Sequence, residues 1–165
     1  MANIPGTSNS IKFNIHMDTY IKKFDEIGIG DILEVGGKNA SLGEMRQKLT
    51  AQGIPIPDGF AVTAKAYWEL LEQNSIKSKL TSLLASLDNV HYTNLYEIGK
   101  RSRDLILSTI IPLPVSNSIV QHFKELKLQY GQNISVAVRS SATAEDLSGA
   151  SFAGQQESYL NIDRF

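Results

Sequence analysis

The chain has 165 residues, of which 42% are hydrophobic and 20% are charged, and these proportions are typical of a folded globular domain. Its 16 basic and 17 acidic residues leave a net charge of -1, which excludes the broad positive field that binding to nucleic acid requires. It has no cysteine for disulfides or zinc, which fits a cytoplasmic protein, and no apolar run of signal-peptide or membrane-span length, so no membrane partner is expected.

The first third of the chain predicts a leader, an edge segment and a helix. Residues 1–20 are expected to form a flexible leader, and residues 21–28 a strand or sheet edge. Gly36 and Gly37 then break the chain before a helix whose apolar residues recur at helical spacing. Gly53 follows the last of them and is a suitable stop for that helix.

The middle of the chain predicts one short strand and four helices. Prolines at positions 55 and 57 favour an extended segment that leads into a strand at residues 60–63. Thr63 is a suitable N-cap for the helix that follows it. Helical periodicity marks this helix through Trp68 and Leu71, and three more helices over residues 76–87, 95–109 and 119–130, the last closed by Gly131.

Further strands are predicted only at the end, where residues 134–162 begin and finish as strands. The order predicts an α+β fold in which several helices pack on a small, mainly antiparallel sheet. Such a sheet needs a covering surface, and the sequence stops directly after a strand. Two interpretations stay open from the residues alone: the opening part of a longer polypeptide, or a complete small α+β domain.

The segment VGGKNAS, residues 35–41, places Lys38 at the start of a helix behind two glycines. Glycines let a backbone approach a ligand closely, and a helix start carries the positive end of the macrodipole, so the set suits phosphate oxygens. It is not a Walker A loop, because Ile32 and Asn39 stand where that motif requires glycine and serine or threonine. The alternative is an ordinary helix-start turn with a solvated lysine.

Arg139 closes an apolar run, Val136 to Val138, that we expect to be at least partly buried. A guanidinium at the end of a buried strand requires an anion, and arginine grips carboxylate or phosphate with two parallel hydrogen bonds. The anion could be a ligand, or it could be Glu145 or Asp146 in a structural salt bridge. Both alternatives remain open from the sequence.

For the hydroxyl residues that follow Arg139 two roles stay open: they donate hydrogen bonds to a ligand, or they cap and turn the backbone. They are Ser140, Ser141 and Thr143. Gly154 and Gln155 belong to a segment for which two interpretations stay open: it contacts a polar ligand, or it is an exposed hairpin. The three histidines are far apart, and no metal-ligand set or serine–histidine–aspartate set can be assembled from the sequence.

Three segments together resemble a known family. VGGKNASLGEM (35–45), GIPIPDGFAVTAKAY (53–67) and AVRSSATAEDLSGASFAGQQESYLNI (137–162) match, in order and separation, the N-terminal ATP-binding domain of the phosphoenolpyruvate synthase and pyruvate phosphate dikinase family. The resemblance covers residues 28–165. It implies the first subdomain of an ATP-grasp-like nucleotide-binding domain.

The resemblance also implies an activity and its cofactors. Synthases of this family convert ATP, pyruvate and water to AMP, phosphoenolpyruvate and phosphate through a phosphohistidine on a swivelling domain. By the same resemblance Lys38 and Arg139 contact ATP phosphates. The residues expected to border the same nucleotide are Gly36, Gly37, Ser140, Ser141, Thr143, Glu145, Asp146, Gly154 and Gln155.

The resemblance places residues 21–165 in the N-terminal part of that domain and makes an incomplete fragment the expectation. The Mg²⁺ ligands, the phosphohistidine, the pyruvate site and the second half of the ATP cleft are expected in a longer parent chain. The fragment holds no catalytic residue, so we expect it to be inactive and to bind ATP weakly. The alternatives are a related phosphotransferase, of the rifampicin-inactivating or pyruvate phosphate dikinase type, and a stand-alone nucleotide- or partner-binding module.

Overall fold

The computed structural model describes residues 20–143 and 157–164. Within these residues the chain forms six helices and two small antiparallel sheets, which confirms the α+β prediction. The elements in chain order are β1 (Ile21–Lys23), α1 (Ile32–Val35), α2 (Gly37–Leu49), β2 (Phe60–Val62), α3 (Ala64–Gln73), α4 (Lys77–Ala85), α5 (Leu95–Leu107), α6 (Leu113–Tyr130), β3 (Val136–Arg139) and β4 (Ser158–Ile162).

The first sheet pairs β1 with β2 in antiparallel register, with Ile21 opposite Val62. The ladder extends by one bond, because the Thr63 amide donates to the Tyr20 carbonyl at 2.9 Å. The strand predicted over residues 21–28 is shorter than expected, since a 3-10 turn at Phe24–Glu26 interrupts it. The sequence predicts a small sheet at the end of the chain, where β3 and β4 do pair, but it does not predict this sheet near the beginning.

Helix α2 packs through its small residues. Its buried positions are Gly37, Ala40 and Gly43, which share one face, while Met45 is largely exposed. A Cβ built on Gly43 would lie 2.4 Å from the carbonyl oxygen of Ile27, so only glycine allows the helix to approach this closely. The helix therefore rests directly on the backbone of the preceding segment.

Three predicted helix boundaries are confirmed, whereas α6 begins at Leu113, earlier than the predicted residue 119. Gly53 has φ +83° and ψ +9° and ends the turn that follows α2, as a left-handed glycine stop does. Thr63 occupies the N-cap position of α3, although its side chain makes no capping hydrogen bond. Gly131 follows the last residue of α6, with φ +107°.

Two hydrophobic clusters hold these elements together. Ile27, Val35, Ala40 and Ala61 form the first, between the first sheet and helices α1 and α2. The second joins α3, α4 and α5, and it consists of Leu71, Ile76 and Leu80 with Leu70, Leu105 and Ile106 packed against them. The first cluster lies directly beneath the glycine-broken segment between α1 and α2, so it fixes that segment in place.

Arg46 of α2 joins three distant parts of the chain. Its guanidinium contacts Asp25 at 2.5 Å, Asp58 at 3.1 Å and the carbonyl oxygen of Ile56 at 2.9 Å. The Tyr130 hydroxyl donates to the same Asp58 carboxylate at 3.0 Å. The Arg46 and Asp58 side chains are only 12% and 11% exposed, so this network ties the end of α6 to the loop before β2 with little solvent screening.

In the part of the chain that the structure describes, no helix combines the length and the apolar character needed to cross a membrane.

Candidate functional site

Gly36 separates α1 from α2 and has a conformation that other residues rarely adopt. Its φ is +82° and its ψ is +158°, a region almost confined to glycine. The Gly36 amide still donates to the Ile32 carbonyl at 2.9 Å, and the Ala40 amide donates to the Gly36 carbonyl at 3.0 Å. The prediction that glycine breaks the chain here is confirmed.

The segment after β3 lies against this break. The Ser141 hydroxyl donates to the carbonyl oxygen of Val35 at 2.9 Å, a contact between residues 106 positions apart. A Cβ on Gly36 would lie 2.2 Å from Ser141 Oγ and 2.9 Å from the Ala142 carbonyl oxygen. The VGGKNAS and RSSAT motifs therefore meet at Gly36, and the absence of a side chain there permits the contact.

Lys38 lies in the first turn of α2, and its side chain is exposed. Arg139 is the last residue of β3, opposite Ser158 of β4, and it is exposed as well. Within residues 20–143 and 157–164, the ion pairs of the structure do not include Arg139. Glu145 and Asp146, its alternative partners, lie outside the described residues.

The expectation that the strand before Arg139 is at least partly buried holds only for Val136, which is half-buried. Ala137, Val138 and Arg139 are all exposed, and Val138 has 37% of its surface accessible. The described part of the chain places only β4 beside β3, and Tyr159 and Leu160 of β4 are exposed too. An apolar sequence indicates a strand suited to burial, but it does not say whether the same chain supplies the covering element.

Both serines of the RSS motif use their hydroxyls within the chain. Ser140 Oγ accepts a hydrogen bond from the Glu157 amide at 3.0 Å, and the Ser140 amide donates to the Glu157 carbonyl at 3.1 Å. Ser141 bonds to Val35, as described above. In the described structure these hydroxyls hold distant backbone segments together, a role that the sequence did not predict.

A cavity of about 360 Å³ lies beside the meeting point of the two motifs. Ser141 and Thr143 form one wall, and the remaining walls come mainly from apolar residues of α3 and the α6 region, together with Val35 and Val62. The described residues around it include no lysine or arginine. Its lining suits an apolar group better than phosphate, so the cavity and the two exposed cations are distinct features.

Acidic residues near α1 are paired. Lys22 contacts Asp31 at 2.8 Å and Glu34 at 2.6 Å. The hydrogen bond to Asp31, followed by that to Glu34, raises the pKa of Lys22, and the bond from Lys22 lowers the pKa of Asp31. Lys22 compensates one of the two negative charges, so the group keeps a net negative charge.

Sequence analysis missed one participant at this site. The Asn39 side-chain amide donates to the Val35 carbonyl at 2.8 Å, so that oxygen accepts two side-chain hydrogen bonds. The sequence signal was weak, because an asparagine in the first turn of a helix has many ordinary uses. Gly154 and Gln155, which were predicted to border the site, lie outside the described residues.

The resemblance implies Mg²⁺, and the described residues do not fit it. They contain no group of three histidine, cysteine, aspartate or glutamate side chains that could hold a metal ion.

Comparisons with known proteins show the family to which the chain belongs. Residues 32–165 match the family described as "Pyruvate phosphate dikinase, AMP/ATP-binding domain". Over 144 residues the chain is 50% identical to the phosphoenolpyruvate synthase of Helicobacter pylori, covering 87% of this chain and 18% of that protein. The phosphoenolpyruvate synthases of Synechocystis and Escherichia coli are 47% and 42% identical, over 84% and 86% of this chain and 18% of each relative.

The chain thus spans about 18% of the length of these relatives. The match covers both motifs that meet at Gly36, and it extends through all the helices described above. The chain belongs to the family of the pyruvate phosphate dikinase AMP/ATP-binding domain.

Proposed function

We propose that this chain is the N-terminal part of the ATP-binding domain of a phosphoenolpyruvate synthase. The names of relatives that are 42–50% identical support this proposal, as does the family to which the chain belongs. In such an enzyme ATP phosphorylates a histidine, and the phosphoryl group then passes to pyruvate. The sum is ATP, pyruvate and water to AMP, phosphoenolpyruvate and phosphate.

The proposed task of this chain is to hold the phosphates of ATP with Lys38 and Arg139. The observation that carries the proposal is the contact of Ser141 with Val35, because it joins the two segments that contain these cations. Phosphoryl transfer depends mainly on positioning and on neutralising charge spread over the phosphate oxygens. Two cationic residues on joined segments suit that task, because both are exposed.

Further residues of this chain and of the parent protein would complete the proposed site. Glu145, Asp146, Gly154 and Gln155 are proposed neighbours of the nucleotide, as are the glycines and hydroxyl residues at the Gly36 break. We propose that Mg²⁺, which would neutralise phosphate charge, is held by residues outside the described segments in an ATP-grasp-like cleft. The same function, with pyruvate and ATP as substrates, would place the protein in the cytoplasm and in gluconeogenesis.

A half-reaction assay in the parent protein tests the role of the two cations. Lys38→Ala and Arg139→Ala should each abolish phosphorylation of the histidine by ATP and leave its phosphorylation by phosphoenolpyruvate largely intact. Arg101→Ala, which removes an exposed arginine from α5, is the matched control and should leave both half-reactions unchanged. Full phosphorylation by ATP in the Lys38 and Arg139 variants would refute the proposed phosphate contacts, whereas equal damage to both half-reactions would indicate misfolding.

Titration calorimetry of the 165-residue chain with Mg·ATP tests whether it forms only part of a cleft. We expect affinity weaker than micromolar, because phosphates held from one side keep most of their hydration. Micromolar affinity or any turnover by the chain would contradict this expectation. Replacing pyruvate by other acceptors in the parent protein distinguishes a synthase from a related phosphotransferase.

A further inference from the structure

The carbonyl oxygen of Val35 is the point at which the two motifs are joined. It lies at the end of α1 and accepts hydrogen bonds from Asn39 Nδ2 at 2.8 Å and Ser141 Oγ at 2.9 Å. The first bond is local to the helix start, and the second crosses 106 residues. We call this oxygen and its two donors the Val35 junction.

Each cation lies within three residues of a junction residue along the chain. Arg139 is two residues before Ser141, a separation of at most about 7 Å in extended chain. Lys38 is one residue from Asn39 within α2, where the rise is about 1.5 Å per residue. The junction therefore limits the distance between the backbones of Lys38 and Arg139. The flexible side chains of these two residues can compensate for only part of a change in that distance.

Contact at Gly36 makes the spacing sensitive to the junction. The backbone of Ala142 and the hydroxyl of Ser141 occupy the space that a Gly36 side chain would need. Steric contact thus limits how closely the segment can approach, whereas the hydrogen bond to Val35 prevents it from moving away. Ser141 has a single hydroxyl proton, and in this structure that proton is directed to Val35.

We propose that Ser141 and Asn39 are positioning residues that set the distance between Lys38 and Arg139 to match a chain of linked phosphates. This inference rests on the proposed function and deepens it. A ligand with several phosphates engages both cations and requires the correct spacing between them. A single phosphate engages either cation alone and does not depend on the spacing.

This difference supplies the test. Amide spectra of the ¹⁵N-labelled chain are followed during titration with ATP, with orthophosphate and with adenosine, which has no phosphate. Ser141→Ala and Asn39→Ala should each weaken ATP binding about three- to tenfold, the effect of losing one hydrogen bond. Orthophosphate binding should stay within about twofold of the original value, since no spacing is involved.

Ser108→Ala is the matched control. Its hydroxyl also donates to a backbone carbonyl, that of Leu105 at 2.8 Å, but it lies at the end of α5. This variant should leave ATP binding and orthophosphate binding unchanged. In Ser141→Ala, hydrogen exchange of the amides in residues 139–143 should increase relative to this control.

The outcomes separate the inference from the proposed function. If Lys38→Ala and Arg139→Ala weaken ATP binding but Ser141→Ala and Asn39→Ala do not, the positioning role is refuted and the phosphate-binding role stands. Equal losses for ATP and orthophosphate in Ser141→Ala would also refute positioning, because they indicate general disruption. If Lys38→Ala and Arg139→Ala bind ATP as well as the original chain does, the proposed function fails. Unchanged hydrogen exchange at residues 139–143 in Ser141→Ala would separately refute the junction.

Discussion

Replacing Gly36 by alanine tests the contact on which the site depends. An L-residue at φ +82° and ψ +158° is strained by about 1–3 kcal/mol. The new methyl group would also lie 2.2 Å from Ser141 Oγ and 2.9 Å from the Ala142 carbonyl oxygen, so the segment must move and the Ser141–Val35 hydrogen bond must break. Loss of that bond adds about 0.5–1.5 kcal/mol, and the total expected loss in unfolding free energy is about 1.5–4.5 kcal/mol.

Two other glycines provide controls that separate strain from contact. Gly53 has φ +83° but no atom within 4 Å of a built Cβ, so Gly53→Ala should show only the conformational cost, about 1 kcal/mol. Gly30 also has open space, and its φ lies outside the positive range. Gly30→Ala should therefore be neutral within about 0.5 kcal/mol.

Urea denaturation of the three variants gives the comparison, with unfolding followed by circular dichroism and by the fluorescence of Trp68. For a chain of this size each kcal/mol corresponds to about 2–4 °C in melting temperature, so the Gly36 variant should be clearly separated from both controls. If Gly36→Ala were no more destabilising than Gly53→Ala, the segment after Arg139 would not be packed on Gly36. The geometric basis of the proposed phosphate site would then be lost.

Three further predictions concern the scaffold. Arg46→Ala should lower the unfolding free energy by about 3 kcal/mol in urea denaturation, because it leaves the largely buried Asp58 without its cation. The control Arg101→Ala should lower it by at most about 0.5 kcal/mol. Similar losses for the two variants would contradict the network. Ser118→Ala should be neutral or stabilising by up to about 1 kcal/mol in the same assay, because the buried Ser118 hydroxyl has no hydrogen-bond partner in the described structure. A loss of more than about 1 kcal/mol would show that the hydroxyl does have a partner. Hydrogen bonds from the His91 amide, the Thr93 hydroxyl and the Val90 amide lower the pKa of Asp88 to about 2, and an NMR titration should find that value. Because the pKa is lower in the folded state, the resulting stabilisation is present above about pH 4 and is lost as the pH falls towards 2. This pH dependence should be absent in Asp88→Asn.

The local elements of the fold could be predicted from sequence because their signals are local. Gly53 was identified as a helix stop, and Thr63 was identified as the residue before α3. The pairing of β1 with β2 was not predicted, since strands of three residues carry too little pattern to specify a partner. For the same reason the strand at residues 21–28 was predicted to be too long.

The site was predicted in part, and the reason is again physical. The resemblance selected the two motifs, and the structure brings them together at Gly36. Burial of the strand before Arg139 could not be predicted, because burial depends on what covers a strand. The phosphate-binding roles of Lys38 and Arg139 remain predictions, since they concern a ligand and not the fold.

The exposed hairpin of β3 and β4 has a consequence for work with the isolated chain. Val138, Tyr159 and Leu160 present apolar surface next to strand edges that have no further strand beside them in the described structure. A net charge of -1 gives molecules of this chain little mutual repulsion at neutral pH. Aggregation during purification is therefore expected to begin at this hairpin, and adding acidic residues on its outer edge is the direct way to raise solubility without touching Gly36 or either cation.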